Sequence, residues 1–202
     1  LSAASGGSAL SELKARGVDV RLEVGIASVA EDHVVLSDGE TIPARVVIWA
    51  AGVAASPLAT TLGVELARGR RIPVDERLEV VGCERVYAIG DIAASVDDDG
   101  RPLPQVAPVA IQQAAHVARV IVDREAGRTS PPFRYRDKGS MATIGRAAAV
   151  AELPGGIRMR GFLAWIAWLL LHLLMLAGFR NRVSVLISWI WNYVRRDHSA
   201  RL

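Results

Sequence analysis

The segment over residues 86–91 constrains the fold of this chain most, because an apolar strand runs directly into a glycine and then an acid. Gly90 would let the backbone approach a ligand with no Cβ in the way. Asp91 could accept hydrogen bonds from ribityl or ribose hydroxyls at the carboxyl end of a parallel sheet. The alternative is a strand followed by an aspartate that only caps the next turn. The segment predicts an α/β fold and makes Asp91 the first candidate for cofactor contact.

A second apolar run, over residues 44–50, is nearly continuous and reads Ala-Arg-Val-Val-Ile-Trp-Ala. Such runs are typical of strands that are buried on both faces of a parallel sheet. Ala51 and Gly52 follow it, and their small size would let a ligand or a neighbouring chain segment pass close by. A tight turn without a ligand is the alternative interpretation.

A helix is predicted to begin near Pro104 and to end near Gly127, because apolar residues recur there at helical spacing. Pro108 falls in the first turn, where a missing N–H costs little. The amides of this turn would point at whatever lies beyond Asp91, which suits an anion or an electron-rich ring. Gln112 and Gln113 follow one turn later, and either could also be an ordinary surface or core glutamine.

Shorter elements are predicted in the rest of the chain from strand alternation and turn residues. They are a helix that ends over residues 10–16 and is closed by Gly17, a hairpin turn over residues 37–40, and strands over residues 18–23, 25–30, 33–36, 72–76, 133–135, 141–144 and 147–152.

The apolar excess of the chain is concentrated near its C-terminus. The sequence is 51% hydrophobic and 22% charged, yet residues 161–179 contain no Asp, Glu, Lys or Arg. As one helix this stretch would be about 30 Å long, enough to cross a bilayer core. A second apolar stretch, residues 183–194, is too short to return across. We therefore predict two helices that lie in one leaflet, with a spanning helix and burial in a soluble dimer interface as alternatives.

Tryptophans and arginines in this part of the chain fit anchors at a lipid surface. The predicted anchors are Trp165, Trp168, Arg180, Arg182, Trp189 and Trp191. A formal net charge of +3, with arginines flanking very apolar segments, favours an anionic surface over nucleic acid as the partner. Cys83 is the only cysteine, so no intrachain disulfide can form, and no Cys/His spacing typical of a metal site is present.

Four segments together resemble, in order, the C-terminal portion of type II NADH dehydrogenases, the non-proton-pumping NADH:quinone oxidoreductases. They are residues 47–52, 86–91, 107–114 and 135–146. The first two are also similar to the wider flavoprotein superfamily with two dinucleotide-binding domains. The run Asp-Lys-Gly-Ser-Met-Ala-Thr-Ile-Gly over residues 137–145, followed by Trp-rich helices, is much more specific.

The resemblance implies FAD as the cofactor and NADH as the co-substrate. Asp91 would then hold the ribityl chain, and the amides of Val109 and Ala110 would face the pyrimidine side of the isoalloxazine, where negative charge develops on reduction. The residues expected near the cofactor are Gly90, Asp91, Ala107, Pro108, Val109 and Ala110, with Ala51 and Gly52 where the two nucleotide domains meet.

The resemblance also implies a quinone pocket beside the same helix, formed by Ile111, Gln112 and Gln113. Gln112 matches the second glutamine of the family's Ala-Gln-x-Ala-x-Gln pattern. Pro108 replaces the first glutamine and removes a donor from the expected pocket wall. Ala114 stands where glycine is commoner, and its methyl would narrow the same pocket.

The expected fold is α/β, the C-terminal part of a flavoprotein with two dinucleotide-binding domains, followed by a membrane-associated helical segment. The expected division is an end of the NADH domain over residues 1–52, a returning part of the FAD domain over 53–128, a β-rich connection over 129–156 and anchoring helices over 157–202. Neither GxGxxG turn of the family is present. The chain alone is therefore expected to be inactive and to bind FAD weakly or not at all.

The expected activity is electron transfer from NADH through FAD to a membrane quinone, ubiquinone or menaquinone, without proton pumping. A homodimer at the cytoplasmic face of the cell membrane is expected, and no nucleic acid. A sulfide:quinone oxidoreductase is an alternative that would need catalytic cysteines, and Cys83 stands alone. A non-catalytic module for membrane binding or dimerisation is the alternative outside enzymes.

Overall fold

The computed structural model describes residues 2–176 and 178–195, which form two compact units. The terminal unit comprises the chain up to Ile42 and from Lys138 onward, and the central unit comprises Pro43–Asp137. The boundaries expected at residues 52, 128 and 156 stay predictions. The last residues of the expected anchoring segment, 196–202, lie outside the described residues.

An antiparallel sheet organises the terminal unit. Its strands are β6 (Ser140–Thr143), β7 (Ala149–Leu153) and β8 (Ile157–Arg160). The predicted strands over residues 141–144 and 147–152 are confirmed within one or two residues. β8 was not predicted, because its alternation of apolar residues with arginines is only four residues long. The buried central strand β7 positions both helices that pack on the sheet.

Helices α1 (Ala3–Ala15) and α3 (Gly161–Met175) cover opposite faces of this sheet. Ala149 and Ala151 of β7 pack with Ala164 of α3 in one buried cluster. The intervening residues of the strand point the other way, and there Glu152 accepts hydrogen bonds from the hydroxyls of Ser2 and Ser5 at the start of α1. A polar contact therefore docks α1, and an apolar one docks α3.

A three-stranded meander completes the terminal unit. It consists of β1 (Ile26–Val29), β2 (His33–Leu36) and β3 (Thr41–Pro43) in the order β1-β2-β3. Gly39 takes a φ of 90° in the predicted hairpin turn, and Gly17 takes a φ of 80° after α1, so both turns are confirmed. The predicted strand over residues 18–23 is wrong. Glu23 adopts a φ of 65°, which ends the extended conformation before any strand pairs with it.

The central unit contains few strands, and only one parallel pair. β4 (Ile72–Pro73) runs parallel to β5 (Ala93–Ala94), and both strands contribute a side chain to the apolar core of the unit. The predicted buried strand over residues 44–50 does not form, and Ile48 and Trp49 are 86% and 66% exposed. An apolar run becomes a buried strand only beside partner strands. No described segment pairs with residues 44–50, so the prediction of a buried strand there is wrong.

The predicted strand over residues 86–89 pairs differently from the expectation. Tyr87 forms an antiparallel bridge with Glu79, and the Val80 N–H donates to the Val86 carbonyl at 2.7 Å. The segment is extended, but it is not part of a parallel sheet. It leads directly into a short 3₁₀ turn, Gly90–Ile92.

Helix α2 (Ala107–Glu125) is the main element of the central unit. Its predicted extent is confirmed, with Pro108 in the first turn and Gly127 at a φ of 67° after its end. Its buried face presents Val109, Gln113, Val117 and Val120. Ile121, the residue after Val120, is exposed.

Residues 128–137, here called the return segment, run back along α2 toward its beginning. Ser130 donates to Asp123 near the helix end, Phe133 stacks edge-on with His116 at 5.4 Å, and Arg136 pairs with Gln112. The strand expected over residues 133–135 is wrong, because this extended chain packs on a helix and pairs with no sheet. The return segment therefore ends beside the first turns of α2.

The apolar C-terminal region forms two helices, α3 and α4 (Phe179–Arg195). The expected single helix over residues 161–179 is interrupted, because Leu176 is extended with a ψ of 134° and Gly178 takes a φ of 81°. Trp168 of α3 and Trp189 of α4 stack with ring centroids 6.3 Å apart. None of the helices in the described ranges combines the length and the apolar character needed to cross a membrane.

Candidate cofactor site

The turn at Gly90 and Asp91 packs directly against the first turns of α2. Gly90 has a φ of 71°, and a Cβ added to it would lie 3.2 Å from the Cβ of Ala110. Both facts make glycine the residue that fits here, since side chains rarely adopt this φ and the space is already occupied. The turn and the helix therefore form one continuous surface.

Asp91 presents an exposed side chain on this surface. Its backbone carbonyl accepts a hydrogen bond from Gln105 Nε2 at 2.9 Å, which fixes the residue without using its carboxylate. No residue in the described ranges donates a hydrogen bond to that carboxylate. The carboxylate is therefore available to accept hydrogen bonds from a ligand that carries hydroxyl groups.

The start of α2 lacks the side chains that usually compensate a helix N-terminus. Val106 is the N-cap and contributes no side-chain hydrogen bond, and no acid lies in the first turn. The N–H groups of Val109 and Ala110 both donate to the Val106 carbonyl, at 3.1 and 3.4 Å. Ala107 is exposed and Pro108 is half-buried. The positive end of the helix dipole is therefore open to an electron-rich group, although these two amides are already engaged.

Gln113 lies one turn further along α2 and has no exposed surface. Its Oε1 accepts from the Gly90 N–H at 2.6 Å, and its Nε2 donates to Ser95 Oγ at 2.7 Å. Ser95 is also buried. The expected contact of Gln113 with a quinone stays a prediction, and the structure places this amide inside the unit, behind the Gly90 turn.

Gln112, the neighbouring glutamine, faces the return segment. Its Nε2 donates to the Arg136 carbonyl and its Oε1 accepts from the Arg136 N–H, each at 3.0 Å. The amide thus pairs with one backbone residue as a neighbouring strand would. Ile111, the third residue of the expected quinone pocket, is 55% exposed beside them.

Ala51 and Gly52, expected near the boundary of two nucleotide domains, are both exposed. Gly52 has a φ of 107°, and nothing lies within 4 Å of the position that its Cβ would occupy. The turn is therefore open. No described part of the chain packs closely against Gly52, although its small size would allow that.

One anchor outside the Gly90 turn was not predicted from the sequence. Arg124, near the end of α2, donates to Glu79 at 3.0 Å and to the Tyr87 hydroxyl at 3.2 Å. The pKa of Glu79 lies below its usual range, mainly because the Arg85 backbone N–H donates to its carboxylate and also because Arg124 does. Arg124 thus holds Tyr87, near the beginning of the extended segment over residues 86–90, and Gln113 holds Gly90 at its end. Neither contact has a distinct sequence signal, because α2 also carries other polar residues such as Gln112, His116 and Arg119.

His116 is a further residue that the sequence did not single out. Its Nε2 is buried with no hydrogen-bond partner among the described residues, and its ring packs against Phe133. Burial lowers the pKa of this imidazole, and the charges of Arg119 and Arg77 lower it further. The side chain therefore favours the neutral form under the return segment.

The predicted membrane anchors fall into different environments. Trp165 packs against the sheet of the terminal unit, and Arg182 Nε donates to the Leu176 carbonyl at 2.9 Å, which caps α3. Trp168 stacks on His172 at 4.1 Å as well as on Trp189. Arg180 and Trp191 are exposed. Trp165, Trp168, Trp189 and Arg182 therefore each contribute to packing or capping within the unit.

Comparison with known families agrees with this geometry. Residues 4–114 match the model of the pyridine nucleotide-disulphide oxidoreductase family, and residues 138–197 match the model of the NDH2 C-terminal domain. The chain belongs to the pyridine nucleotide-disulphide oxidoreductase family. Within it, the predicted resemblance to a part of a type II NADH dehydrogenase is confirmed.

Two curated relatives carry names of that kind. The type II NADH:quinone oxidoreductase Ndh of Mycobacterium tuberculosis is 37% identical over 192 residues, which is 90% of this chain and 40% of the relative. The mitochondrial internal alternative NAD(P)H-ubiquinone oxidoreductase A1 of Solanum tuberosum is 35% identical over 193 residues, 87% of this chain and 39% of the relative. The chain thus spans about two fifths of the length of these relatives.

Among solved structures, NDH2 from Plasmodium falciparum in complex with NADH superposes with a TM-score of 0.82. The match covers 95% of this chain and 55% of that one at 16% sequence identity. At this identity the likeness establishes the fold alone. The mixed α/β fold predicted from the sequence is therefore confirmed.

Proposed function

We propose that this chain is part of an FAD-dependent NADH:quinone oxidoreductase that transfers electrons to a membrane quinone without pumping protons. The observation that carries the proposal is the packing of the Gly90 turn on α2, which leaves the Asp91 carboxylate exposed beside an uncapped helix start. Hydroxyl groups and an electron-rich ring are the ligand features that this surface suits. The names of the relatives support the same chemistry.

The residues of the site fit FAD. Asp91 would accept hydrogen bonds from the hydroxyls of the ribityl chain, and Gly90 would keep its own surface free of a side chain. The dipole at the start of α2, over residues 107–110, would stabilise negative charge on the pyrimidine side of the ring. FAD, when bound, supplies the redox chemistry by taking a hydride from NADH and passing two electrons on. The small size of Ala51 and Gly52 would allow the two nucleotide-binding domains to pack closely there.

Quinone contact is proposed on the exposed side of α2. Ile111 is accessible there and offers apolar surface to a quinone ring. Gln112 would contribute through the backbone that it holds, since both polar ends of its amide pair with Arg136. The proposed pocket thus lies along the return segment, close to the start of the helix.

Attachment to a lipid surface is proposed for the C-terminal helices. Large apolar side chains are exposed on both of them. They include Leu163, Leu170, Leu174, Ile187, Ile190 and Trp191. Residues 153–195 contain no acid, and Arg180 is exposed among them, so an anionic surface suits this region. We propose a peripheral location on the cytoplasmic face of the cell membrane, as a homodimer.

The chain by itself is proposed to be inactive and to hold FAD weakly, because neither GxGxxG turn is present in it. The test is electron transfer by the full-length enzyme in membrane vesicles. NADH-dependent reduction of an added quinone is expected, together with loss of activity when only residues 1–202 are expressed. Sulfide as the effective donor would point to a sulfide:quinone oxidoreductase instead. Membrane binding without any redox activity would identify a non-catalytic module.

A further inference from the structure

We propose that Gln113 is a positioning residue for the cofactor, acting on Asp91 through the backbone of Gly90. This inference rests on the proposed function, in that Asp91 contacts FAD. It assigns Gln113 to the inner side of the flavin site, whereas the family resemblance suggested the quinone pocket.

Both polar ends of the Gln113 amide are used inside the unit. The side chain has no exposed surface, its oxygen accepts from the Gly90 N–H at 2.6 Å, and its nitrogen donates to Ser95 Oγ at 2.7 Å. A buried amide of this kind costs free energy unless both of its ends are paired. Both ends are paired, and one partner is the residue immediately before Asp91.

The hydrogen bond from Gly90 to Gln113 holds the backbone that leads into Asp91. Gly90 sits at a φ of 71° against Ala110, and its conformation sets the direction in which residue 91 leaves the turn. Gln105 holds the carbonyl of Asp91 from the other side. Two glutamines thus fix the backbone on either side of Asp91 while its carboxylate remains exposed. A carboxylate held in this way is pre-organised for its ligand.

Gln113 also connects the Gly90 turn to Ser95. Ser95 follows β5, which pairs with β4, so the side chain links helix, turn and sheet at one point. Loss of the amide would leave the Gly90 N–H and the Ser95 hydroxyl without their partner. We expect the turn to relax and the carboxylate to lose its fixed direction.

The experiment is a titration of the full-length apoenzyme with FAD, followed by flavin fluorescence and by the visible spectrum of the bound flavin. For Gln113→Leu we expect the dissociation constant to rise about tenfold or more, since two buried partners are left unpaired. The spectrum of the remaining bound flavin should shift, because its polar surroundings change. Hydrogen exchange at the Gly90 amide should accelerate.

Two variants separate positioning from general stability. Val117→Ala, one turn further along the same buried face, should destabilise the protein but leave the FAD dissociation constant and the flavin spectrum unchanged. Gln113→Glu should restore binding at pH values where its carboxyl group is neutral. In that form the carbonyl accepts from Gly90 and the O–H donates to Ser95, as the amide does.

An unchanged dissociation constant in Gln113→Leu would overturn the inference, and so would an equal weakening in Val117→Ala. If Gln113→Leu does not fold, Ser95→Ala removes only the distal partner, and it should weaken FAD binding by a smaller factor. No weakening there would also overturn the inference. A wild-type enzyme that binds no FAD contradicts the proposed function, whereas normal wild-type binding with an unaffected Gln113→Leu contradicts this inference alone.

Discussion

Gly90 is the residue whose replacement should be most costly at the candidate site. Its φ of 71° costs a residue with a Cβ about 1–2 kcal/mol. The added Cβ would also lie 3.2 Å from the Cβ of Ala110, so the turn must shift away from α2. Glycine is thus required at position 90 both for its backbone conformation and for its contact with Ala110. A matched pair of variants can separate the two effects.

We predict that Gly90→Ala lowers the free energy of unfolding by about 2 kcal/mol or more, measured by chemical denaturation. Gly100→Ala is the control, because Gly100 has a φ of 76° but nothing within 4 Å of its Cβ position. That variant should cost only about 1–2 kcal/mol. Equal costs at the two positions would mean that the contact with Ala110 carries no penalty.

His116 should make stability depend on pH. Because burial and the charges of Arg119 and Arg77 lower its pKa in the folded state, folding favours the neutral imidazole. Its contribution is complete above the unfolded pKa of about 6.5 and is lost as pH falls through the lower folded pKa. We predict that acidification from pH 7.5 to 5 destabilises the wild type more than His116→Leu. Denaturation curves at both pH values test this, and identical losses in the two proteins would rule it out.

The docking of α1 on the sheet should depend on one carboxylate. The hydroxyls of Ser2 and Ser5 and the Ser2 backbone N–H hold the pKa of Glu152 at about 2. Since this value lies below the ordinary 4.5, the contribution is present above pH 4.5 and is lost as pH falls toward 2. A helix that is attached by a charged group at its N-terminus should therefore detach in acid.

We predict that Glu152→Gln accelerates amide hydrogen exchange across α1 at pH 7, because the charged acceptor at the helix N-terminus is removed. Glu12→Gln is the matched control, since Glu12 pairs only with Arg16 on the surface of the same helix. It should change exchange little. The same exchange in both variants would show that the Glu152 contact does not hold the helix.

Elements that depend on local signals were predictable from the sequence, and those that depend on distant partners were not. Helix α2 follows from apolar spacing between Pro108 and Gly127, and the hairpin turn follows from Gly39. The run over residues 44–50 has equally clear strand chemistry but finds no partner strand among the described residues. The interruption between α3 and α4 at Leu176 and Gly178 was not predictable, because the sequence around it is uniformly apolar.

The candidate site divides in the same way. Gly90, Asp91 and the start of α2 were predictable, because a glycine and an acid after an apolar segment carry their own chemistry. The separate tasks of Gln112 and Gln113 were not, because adjacent residues on a helix point about 100° apart and meet different neighbours. Only the folded chain shows that one holds the return segment and the other the Gly90 turn.

The exposed apolar side chains of α4 should govern attachment of the whole molecule to lipid. We predict that the double variant Ile187→Ser and Ile190→Ser binds vesicles of mixed neutral and anionic lipids about tenfold more weakly or worse, by co-sedimentation, because burial of large aliphatic groups drives such binding. The control changes Leu22 and Val29 to Ser, two residues that are also exposed but lie outside the C-terminal helices. Equal binding by all three proteins would exclude α4 as the attachment surface.

The proposed function depends on the surface made by the Gly90 turn and the start of α2. Asp91 gives it an accepting group that no described residue uses, and the helix gives it a positive dipole. The match to the pyridine nucleotide-disulphide oxidoreductase family extends over residues 4–114, so the Gly90 turn and the start of α2 both lie within it. The proposed function therefore requires that this carboxylate binds FAD.

The most direct test is the FAD dissociation constant of the full-length enzyme with Asp91→Ala, compared with Asp99→Ala as an exposed acid of the same unit. We expect at least about tenfold weaker binding for Asp91→Ala, since a charged hydrogen-bond acceptor is removed, and wild-type binding for Asp99→Ala. Wild-type FAD affinity in Asp91→Ala would show that this carboxylate does not bind FAD.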